Sequence, residues 1–231
     1  MASVQELLTK GNEQYNSKQY QQAINIMNQV LKLKLNFSDV ADASYLRARC
    51  YALLGNESSA LNDLQTALEF NESLVNSAEE DSDFNELKSK DKFKSLSKLF
   101  KGILKYYDGD YETGLNDMEE AIKQDSSFST YFVATNSRAN ALWGLERYDK
   151  AIELFREAEF HAADSFDKYT GFKNLACILS ELERYQESMF PFRFAIQSYQ
   201  VAEKEGKFIL DRTQLSPVYE EQGWALIGID D

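Results

Sequence analysis

The apolar and polar positions of this chain repeat a pattern typical of a helical hairpin. The stretch GLERYDKAIELFREA, residues 144–158, has a short polar turn followed by a tyrosine, and then small and large apolar residues at helical spacing. Four other stretches show the same order, at 16–33, 54–70, 108–122 and 182–196. The pattern therefore predicts one structural unit that occurs five times.

The repeat is regular in its turns and in its small residues. The turn position falls at Tyr20, Glu57, Tyr111, Tyr148 and Tyr185, with steps of 37, 54, 37 and 37 residues, so one step carries 17 extra residues. Small residues recur at three sites of each copy, with one valine as the exception. The site in the first helix holds Gly11, Ala48, Gly102, Ala139 and Ala176. The first site in the second helix holds Ala23, Ala60, Gly114, Ala151 and Ser188, and the second holds Val30, Ala67, Ala121, Ala158 and Ala195. Antiparallel helices approach closely only where side chains are small. Because one hairpin cannot bury both of its faces, we expect five hairpins to stack on one another.

This pattern resembles the tetratricopeptide repeat (TPR) family from residue 4 to about 202. The resemblance implies an all-α fold, a right-handed α-solenoid of about five hairpins closed by a C-terminal capping helix. We predict one domain over residues 1–231, with repeats at about 4–37, 41–74, 95–128, 132–165 and 169–202, an insertion at 75–94 and a last helix at about 217–228. The family's early tryptophan and its closing proline are missing. Residues 81–96 resemble a segment found in many bacterial TPR proteins.

Several local signals refine this prediction. Ser3 and Glu6 have capping-box spacing, and Gly55, Gly109 and Gly144 lie near helix ends, where a left-handed residue is often needed. We interpret the insertion as a solvated acidic connector whose Phe84, Leu87 and Phe93 pack on the stack. Pro191 falls inside a predicted helix, where it removes a hydrogen bond and favours a kink.

The composition narrows the function classes. The net charge of −13 repels phosphate backbones, and no cluster of lysine and arginine stands out, so we expect no nucleic-acid binding. No apolar run reaches the length of a membrane span, and the first residues do not resemble a signal peptide, so we expect no membrane insertion. Cys50 and Cys177 are far apart and suggest no disulfide framework, which is typical of a reducing, cytoplasmic setting.

The sequence offers few groups for catalysis. His161 is the only histidine, and no phosphate-binding or dinucleotide-binding glycine motif occurs. The acidic run at 79–83 lacks the spacing and the glycine of a Ca²⁺ loop. We therefore predict no catalytic residues, no metal site, no cofactor and no enzyme activity, although an unrecognised enzyme stays open as a third hypothesis.

The TPR resemblance implies that the first helix of each hairpin lines a concave groove for peptides. The groove residues would be Asn12, Tyr45, Arg49, Leu99, Phe100, Ile103, Tyr107, Asn136, Asn140, Trp143, Lys173 and Asn174. An asparagine can donate to and accept from a peptide backbone at once, and aromatic residues supply large contact areas. Alternatively, Phe100, Ile103 and Tyr107 pack against the insertion or the neighbouring helices.

These features predict a non-enzymatic scaffold or adaptor that recruits a partner protein or peptide. The net charge favours a basic or an apolar partner segment. Some TPR co-chaperones hold the C-terminus of Hsp70 or Hsp90 with a carboxylate clamp. The matching positions here are Leu8, Asn12, Leu46, Leu96 and Phe100, and only Asn12 fits, which argues against Hsp70 or Hsp90 binding.

The alternative from another class is a structural protein that forms homo-oligomers. In that case the apolar groove and the last helix, through Trp224, Leu226 and Ile227, would contact a second copy.

Overall fold

The computed structural model describes residues 3–206, 208, 218–220 and 222. Within these residues the long helices are α1 (Val4–Asn16), α2 (Tyr20–Val30), α3 (Phe37–Leu53), α4 (Glu57–Phe70), α5 (Leu74–Glu80), α6 (Asp91–Tyr107), α7 (Tyr111–Gln124), α8 (Phe132–Gly144), α9 (Tyr148–His161), α10 (Ser165–Glu181) and α11 (Tyr185–Glu205). Two short 3₁₀ turns occur at Ser82–Phe84 and Ser126–Thr130. No strand forms in this part of the chain, and the predicted all-α fold is confirmed.

The helices pair as five hairpins, α1/α2, α3/α4, α6/α7, α8/α9 and α10/α11, which together form a helical solenoid. Helix α5 and the first 3₁₀ turn fill the insertion between the second and third hairpins. Of the predicted last helix, residues 218–220 and 222 are helical. Its remaining residues, among them Trp224, Leu226 and Ile227, lie outside the described residues.

The fifteen residues at the three repeat sites, fourteen small ones and Val30, are all buried. The backbones approach closely in the third hairpin, where a Cβ atom added to Gly102 would lie 2.7 Å from the backbone oxygen of Gly114. A Cβ atom added to Gly114 would lie 2.6 Å from the oxygen of Gly102. Backbone atoms cannot move aside as the end of a side chain can, so this crossing requires glycine on both helices.

Each hairpin turn contains one residue with left-handed backbone geometry. The φ angles are 59° at Lys18, 72° at Gly55, 85° at Gly109, and 58° at both Glu146 and Glu183. All three glycines lie at or near helix ends as expected, but only Gly55 and Gly109 have the left-handed geometry, and Gly144 does not. That glycine is the last residue of α8, and a Cβ atom there would lie 2.7 Å from the ring of Tyr111.

Two other local predictions concern helix α1 and Pro191. The capping box at α1 is present, since Ser3 Oγ accepts from the Glu6 backbone and Glu6 accepts from the Ser3 backbone. Helix α11 continues through Pro191, which is buried. The proline therefore does not end the helix.

The main core runs through the middle hairpins and includes the insertion. Phe84 is 0% exposed, and Leu87 and Phe93 are each 4% exposed, so their predicted packing on the stack is confirmed. A second cluster fills the first hairpin and includes Phe208, and a third fills the last hairpin and includes Val218. Phe208 thus brings a residue from beyond α11 back to the start of the chain.

Candidate peptide-binding site

The insertion packs against α1 and α3, the first helices of the first two hairpins. The guanidinium of Arg49 lies 2.8 Å from a carboxylate oxygen of Asp81 and 2.8 Å from one of Asp83. Arg49 also donates to the Tyr15 hydroxyl at 2.6 Å and stacks over the Tyr15 ring, and that hydroxyl in turn donates to Asp83. Charge-assisted bonds of this kind hold the insertion against α1 and α3.

Tyr45 is held by the same segment. Its hydroxyl donates to Asp81 at 3.4 Å, and its ring packs edge-on against Phe84 at a centroid distance of 5.7 Å. Burial, followed by the neighbouring carboxylates, raises the pKa of both Tyr15 and Tyr45, so both hydroxyls stay protonated donors. Asp81 and Asp83 are only 14% and 11% exposed. The interpretation of the insertion as a solvated acidic connector is therefore wrong at these two residues.

A small cavity of about 300 Å³ remains open between α1 and α3, and Asn12, Tyr45 and Arg49 are among its lining residues. The Asn12 amide donates to the Leu8 carbonyl at 3.0 Å. Asp42 lines the same cavity, and burial, with a contribution from Asp39, raises its pKa. This cavity brings three predicted groove residues together, but two of them are already bound to the insertion.

The predicted apolar middle of the groove is not a surface. Leu99, Phe100 and Ile103 are 0%, 1% and 3% exposed and belong to the main core. They pack with Phe84 and Phe93 of the insertion in that core, as the alternative interpretation expected for Phe100 and Ile103. Tyr107 differs, because it is 64% exposed at the end of α6.

A much larger cavity, of about 1000 Å³, lies where the connections between hairpins converge. Its lining includes parts of the connections at 31–35, 130–131 and 163–164 and of the segment after α11. We call this space the large cavity. Its aromatic wall is formed by Phe37, Phe70, Phe166 and Phe208. The centre of the Phe37 ring lies 5.0 Å from that of Phe166 and 5.5 Å from that of Phe208, and the centres of the Phe70 and Phe208 rings are 5.3 Å apart.

The rest of the lining of the large cavity is largely polar, and part of it is charged. Asn136, Ser137, Thr170 and Tyr107 belong to it. The Oδ1 atom of Asn136 accepts the Asn174 amide at 3.1 Å, which fixes the orientation of the Asn136 side chain. Within the described residues the Nδ2 group of Asn136 makes no hydrogen bond, so it remains a donor for a ligand. Two predicted groove residues, Tyr107 and Asn136, thus line this cavity, and Asn174 supports one of them.

The other predicted groove residues are not part of the large cavity. The indole of Trp143 donates to Glu181 at 2.8 Å and packs edge-on against Phe155. The Lys173 ammonium lies 5.8 Å from the centre of the Tyr169 ring, and Asn140 is half-buried. The expected continuous groove is therefore divided, and its residues contribute to separate surfaces.

The aromatic wall was not predicted. Phe37, Phe70 and Phe166 lie at or next to helix ends, outside the three small-residue sites that define the repeat. Phe208 follows the last hairpin and carries no repeat signal at all. Only the abundance of phenylalanine, 15 residues, hinted at such a cluster.

Two further observations bear on chemistry. In the part of the chain that the structure describes, no group of three or more His, Cys, Asp or Glu residues is arranged to hold a metal ion. Burial raises the pKa of the Cys50 thiol to about 12, which makes it a poor nucleophile. Among the described helices, none combines the length and the apolar character needed to cross a membrane.

Comparison with known proteins agrees with the repeat pattern. A family model described as tetratricopeptide repeat matches residues 8–73 and 101–168, more than half of the 231 residues. A search of curated proteins found no match.

Several solved structures have a similar fold. The TPR2AB domain of yeast Sti1, in a structure titled as a complex with pHSP90, is 15% identical, with 97% of this chain and 86% of that chain covered and a TM-score of 0.48. The TPR domain of P58(IPK) is 17% identical, with 98% and 66% covered and a TM-score of 0.49. The thermophilic TPR protein TTC0263 of Thermus thermophilus is 16% identical, with 97% and 100% covered and a TM-score of 0.40. From the match of the family model, the chain belongs to the tetratricopeptide repeat family.

Proposed function

We propose that this protein is a non-enzymatic scaffold that binds a segment of a partner protein in the large cavity. TPR domains generally serve protein–protein interaction, and helical solenoids provide extended binding surfaces. The observation that carries the proposal is the cavity of about 1000 Å³, whose lining combines four phenylalanine rings with amide, hydroxyl and charged groups. This volume lies at the upper end of ligand sites in proteins.

The aromatic and polar groups of this lining suit an extended peptide with an apolar side chain. The rings of Phe37, Phe70, Phe166 and Phe208 offer contact area at a low cost in side-chain entropy. Asn136, held by Asn174, can donate to a peptide carbonyl, and a peptide amide can bond to the hydroxyl of Ser137 or Thr170. The ligand would thus be recognised by its backbone and by one apolar anchor.

The carboxylate clamp is not part of this proposal. Of its five matching positions, Leu8, Leu46, Leu96 and Phe100 are 7%, 4%, 2% and 1% exposed. Buried apolar side chains cannot replace the water around two carboxylates. We therefore expect no clamp-type binding of the Hsp70 or Hsp90 C-terminus.

The test is a peptide-display selection on the wild-type protein, followed by fluorescence anisotropy with the selected peptides. Tyr107→Ala and Asn136→Ala should each weaken binding by about 1–3 kcal/mol. Phe160→Ala is the matched control, because Phe160 is 88% exposed and does not line the cavity. If the selected peptides bind both variants with the affinity of the wild type, the large cavity is not the binding site.

A second candidate function, self-association, is favoured by a row of three phenylalanines on the last hairpin, of which Phe190 is exposed and Phe172 and Phe194 are half-buried. The Phe190 and Phe194 rings are 4.3 Å apart, and Phe172 lies 5.4 Å from Phe194. Apolar side chains that reach the surface next to one another often mark contact surfaces. Light scattering over a dilution series tests it: self-association predicts a mass that rises with concentration in the wild type but not in Phe190→Ala, and a constant monomer mass rejects it.

A further inference from the structure

The lysine residues of this acidic protein are concentrated in one segment. Residues 88–105 contain seven lysines and one aspartate, a net charge of +6, which leaves −19 for the rest of a chain of net charge −13. The expectation that no basic cluster stands out is therefore wrong. These lysines span the end of the insertion and helix α6.

The structure arranges four of these lysines around one concave space. A cavity of about 480 Å³ is lined by Lys88, Lys94, Lys98 and Lys101, together with Phe93, Ser97, Glu79 and Asp117. We call it the lysine cavity. It does not share a residue with the large cavity, so an inference about it does not depend on the proposed function.

Part of the positive charge is already balanced. Lys101 pairs with Glu79, and Lys98 pairs with Glu120 of α7. Asp117 accepts from Lys105 at 2.5 Å. These pairs offset much of the charge of Lys98, Lys101 and Lys105.

Lys88 and Lys94 are paired less directly, although Lys88 contributes to lowering the pKa of Glu79 after the larger effect of Lys101. Lys88 donates to the neutral amide oxygen of Asn85 at 3.1 Å. Lys94 is 3.7 Å from Asp91, whose side chain is fully exposed to water, and an ion pair of that kind contributes little. Within the described residues, these two ammonium groups at the cavity thus lack a carboxylate at hydrogen-bond distance.

We propose that the lysine cavity binds an acidic peptide segment of a partner protein. Two carboxylates of the segment would contact Lys88 and Lys94, and an intervening apolar side chain would lie against Phe93 and the methylene groups of the lysines. Carboxylates in a partly enclosed cavity interact with ammonium groups more strongly than carboxylates in open water. The surrounding charge of −19 would confine such a segment to this place on the surface.

The same charge distribution disfavours larger polyanions. Nucleic acid and anionic membranes extend well beyond one cavity, so they would meet the acidic remainder of the protein. A short peptide can place its carboxylates at the lysines and direct its remaining residues away. The cavity is also concave, whereas a membrane needs a flat or protruding surface.

The experiment measures fluorescence anisotropy of a labelled peptide, Glu-Asp-Glu-Leu-Asp-Glu, at low and at physiological salt. The wild type should bind it, more weakly as salt increases, and Lys88→Glu with Lys94→Glu should reduce the affinity at least about tenfold. The control is Lys10→Glu with Lys150→Glu, which changes the net charge equally at two exposed lysines that do not line the cavity. This control should change the affinity much less, and thermal unfolding should show that both double variants remain folded.

Three results would overturn the proposal. The first is no binding of the acidic peptide to the wild type. The second is an equal loss in both double variants, which would show a general charge effect. The third is tighter, Lys88- and Lys94-dependent binding of a uridine oligonucleotide or of phosphatidylserine vesicles, which would assign the cavity to another class of ligand.

Discussion

The guanidinium of Arg49 in α3 lies 2.8 Å from the carboxylate of Asp83, which follows it by 34 residues. Asp83 also accepts from Tyr15 of α1, so one carboxylate joins two hairpins and the insertion. Asp83→Asn removes the charge from a largely buried network. We expect a loss of about 1–3 kcal/mol in the free energy of unfolding, measured by urea denaturation.

Asp91→Asn is the control for this change. The Asp91 side chain is fully exposed and lies 3.7 Å from Lys94, so its loss should cost less than about 1 kcal/mol. Similar losses in the two variants would mean that the insertion does not contribute to stability through Arg49.

The crossing of Gly102 and Gly114 makes a sharper prediction about the repeat itself. Gly102→Ala places a methyl group 2.7 Å from a backbone oxygen, and the two helices must separate to admit it. We expect a loss of about 2–4 kcal/mol, measured by thermal and urea unfolding.

Gly171→Ala provides the matched comparison, since it also adds a methyl group inside a helix. There the nearest atom, in the ring of Phe132, is 3.4 Å away, which is an ordinary contact. This variant should be neutral or more stable by up to about 1 kcal/mol, because alanine favours the helix. If the two glycines responded alike, close backbone contact would not explain the repeat.

The turns offer a stabilising substitution. Glu146 and Glu183 have φ angles of 58°, a geometry that costs an ordinary residue about 1 kcal/mol and glycine almost nothing. Glu146→Gly and Glu183→Gly should each raise the free energy of unfolding by up to about 1 kcal/mol. Glu157→Gly, at an exposed position inside α9, should lower it by about 1 kcal/mol. Destabilisation by all three would contradict the left-handed turns.

The sequence predicted the hairpins because their contacts are periodic. Gly102 and Gly114 belong to sites that recur in every copy. Where two helix backbones lie close together only small residues fit, so the sequence shows the contact through the size of the residues. The turn geometry was predicted where glycine was present, at Gly55 and Gly109. At Lys18, Glu146 and Glu183 the same geometry occurs without glycine and left no residue-type signal.

The candidate sites were harder to predict, because their contacts occur once and join distant residues. Arg49 and Asp83 meet only because the insertion folds back onto α3, and no repeat position encodes that path. Phe208 reaches Phe37 for a similar reason. Leu99 and Phe100 occupy positions that the family resemblance assigns to a groove, but they are buried in the main core together with residues of the insertion. The lysine cluster was visible in the sequence and was obscured by the net charge of the whole chain.

The last prediction concerns pH and Glu159 of α9. One of its carboxylate oxygens, Oε1, is buried without a hydrogen-bond partner among the described residues. Burial raises the pKa of Glu159 from 4.5 to about 7, and Arg156 offsets only part of this effect. Between these two pKa values the folded protein binds more protons than the unfolded chain. Stability should therefore fall as the pH rises through this range and stay lower above it.

Glu159→Gln tests this directly, because glutamine has the shape of the protonated acid and cannot ionise. Above pH 7 the variant should be more stable than the wild type by roughly 1 kcal/mol, a value reduced because the side chain is only half-buried. Near pH 4.5 the difference should vanish, since the wild-type carboxyl is then protonated in the folded state. Glu157→Gln, exposed on the same helix, should show no such dependence, as measured by thermal unfolding across the pH range. A constant difference between Glu159→Gln and wild type at every pH would show that packing, rather than the buried charge, sets the effect of this residue.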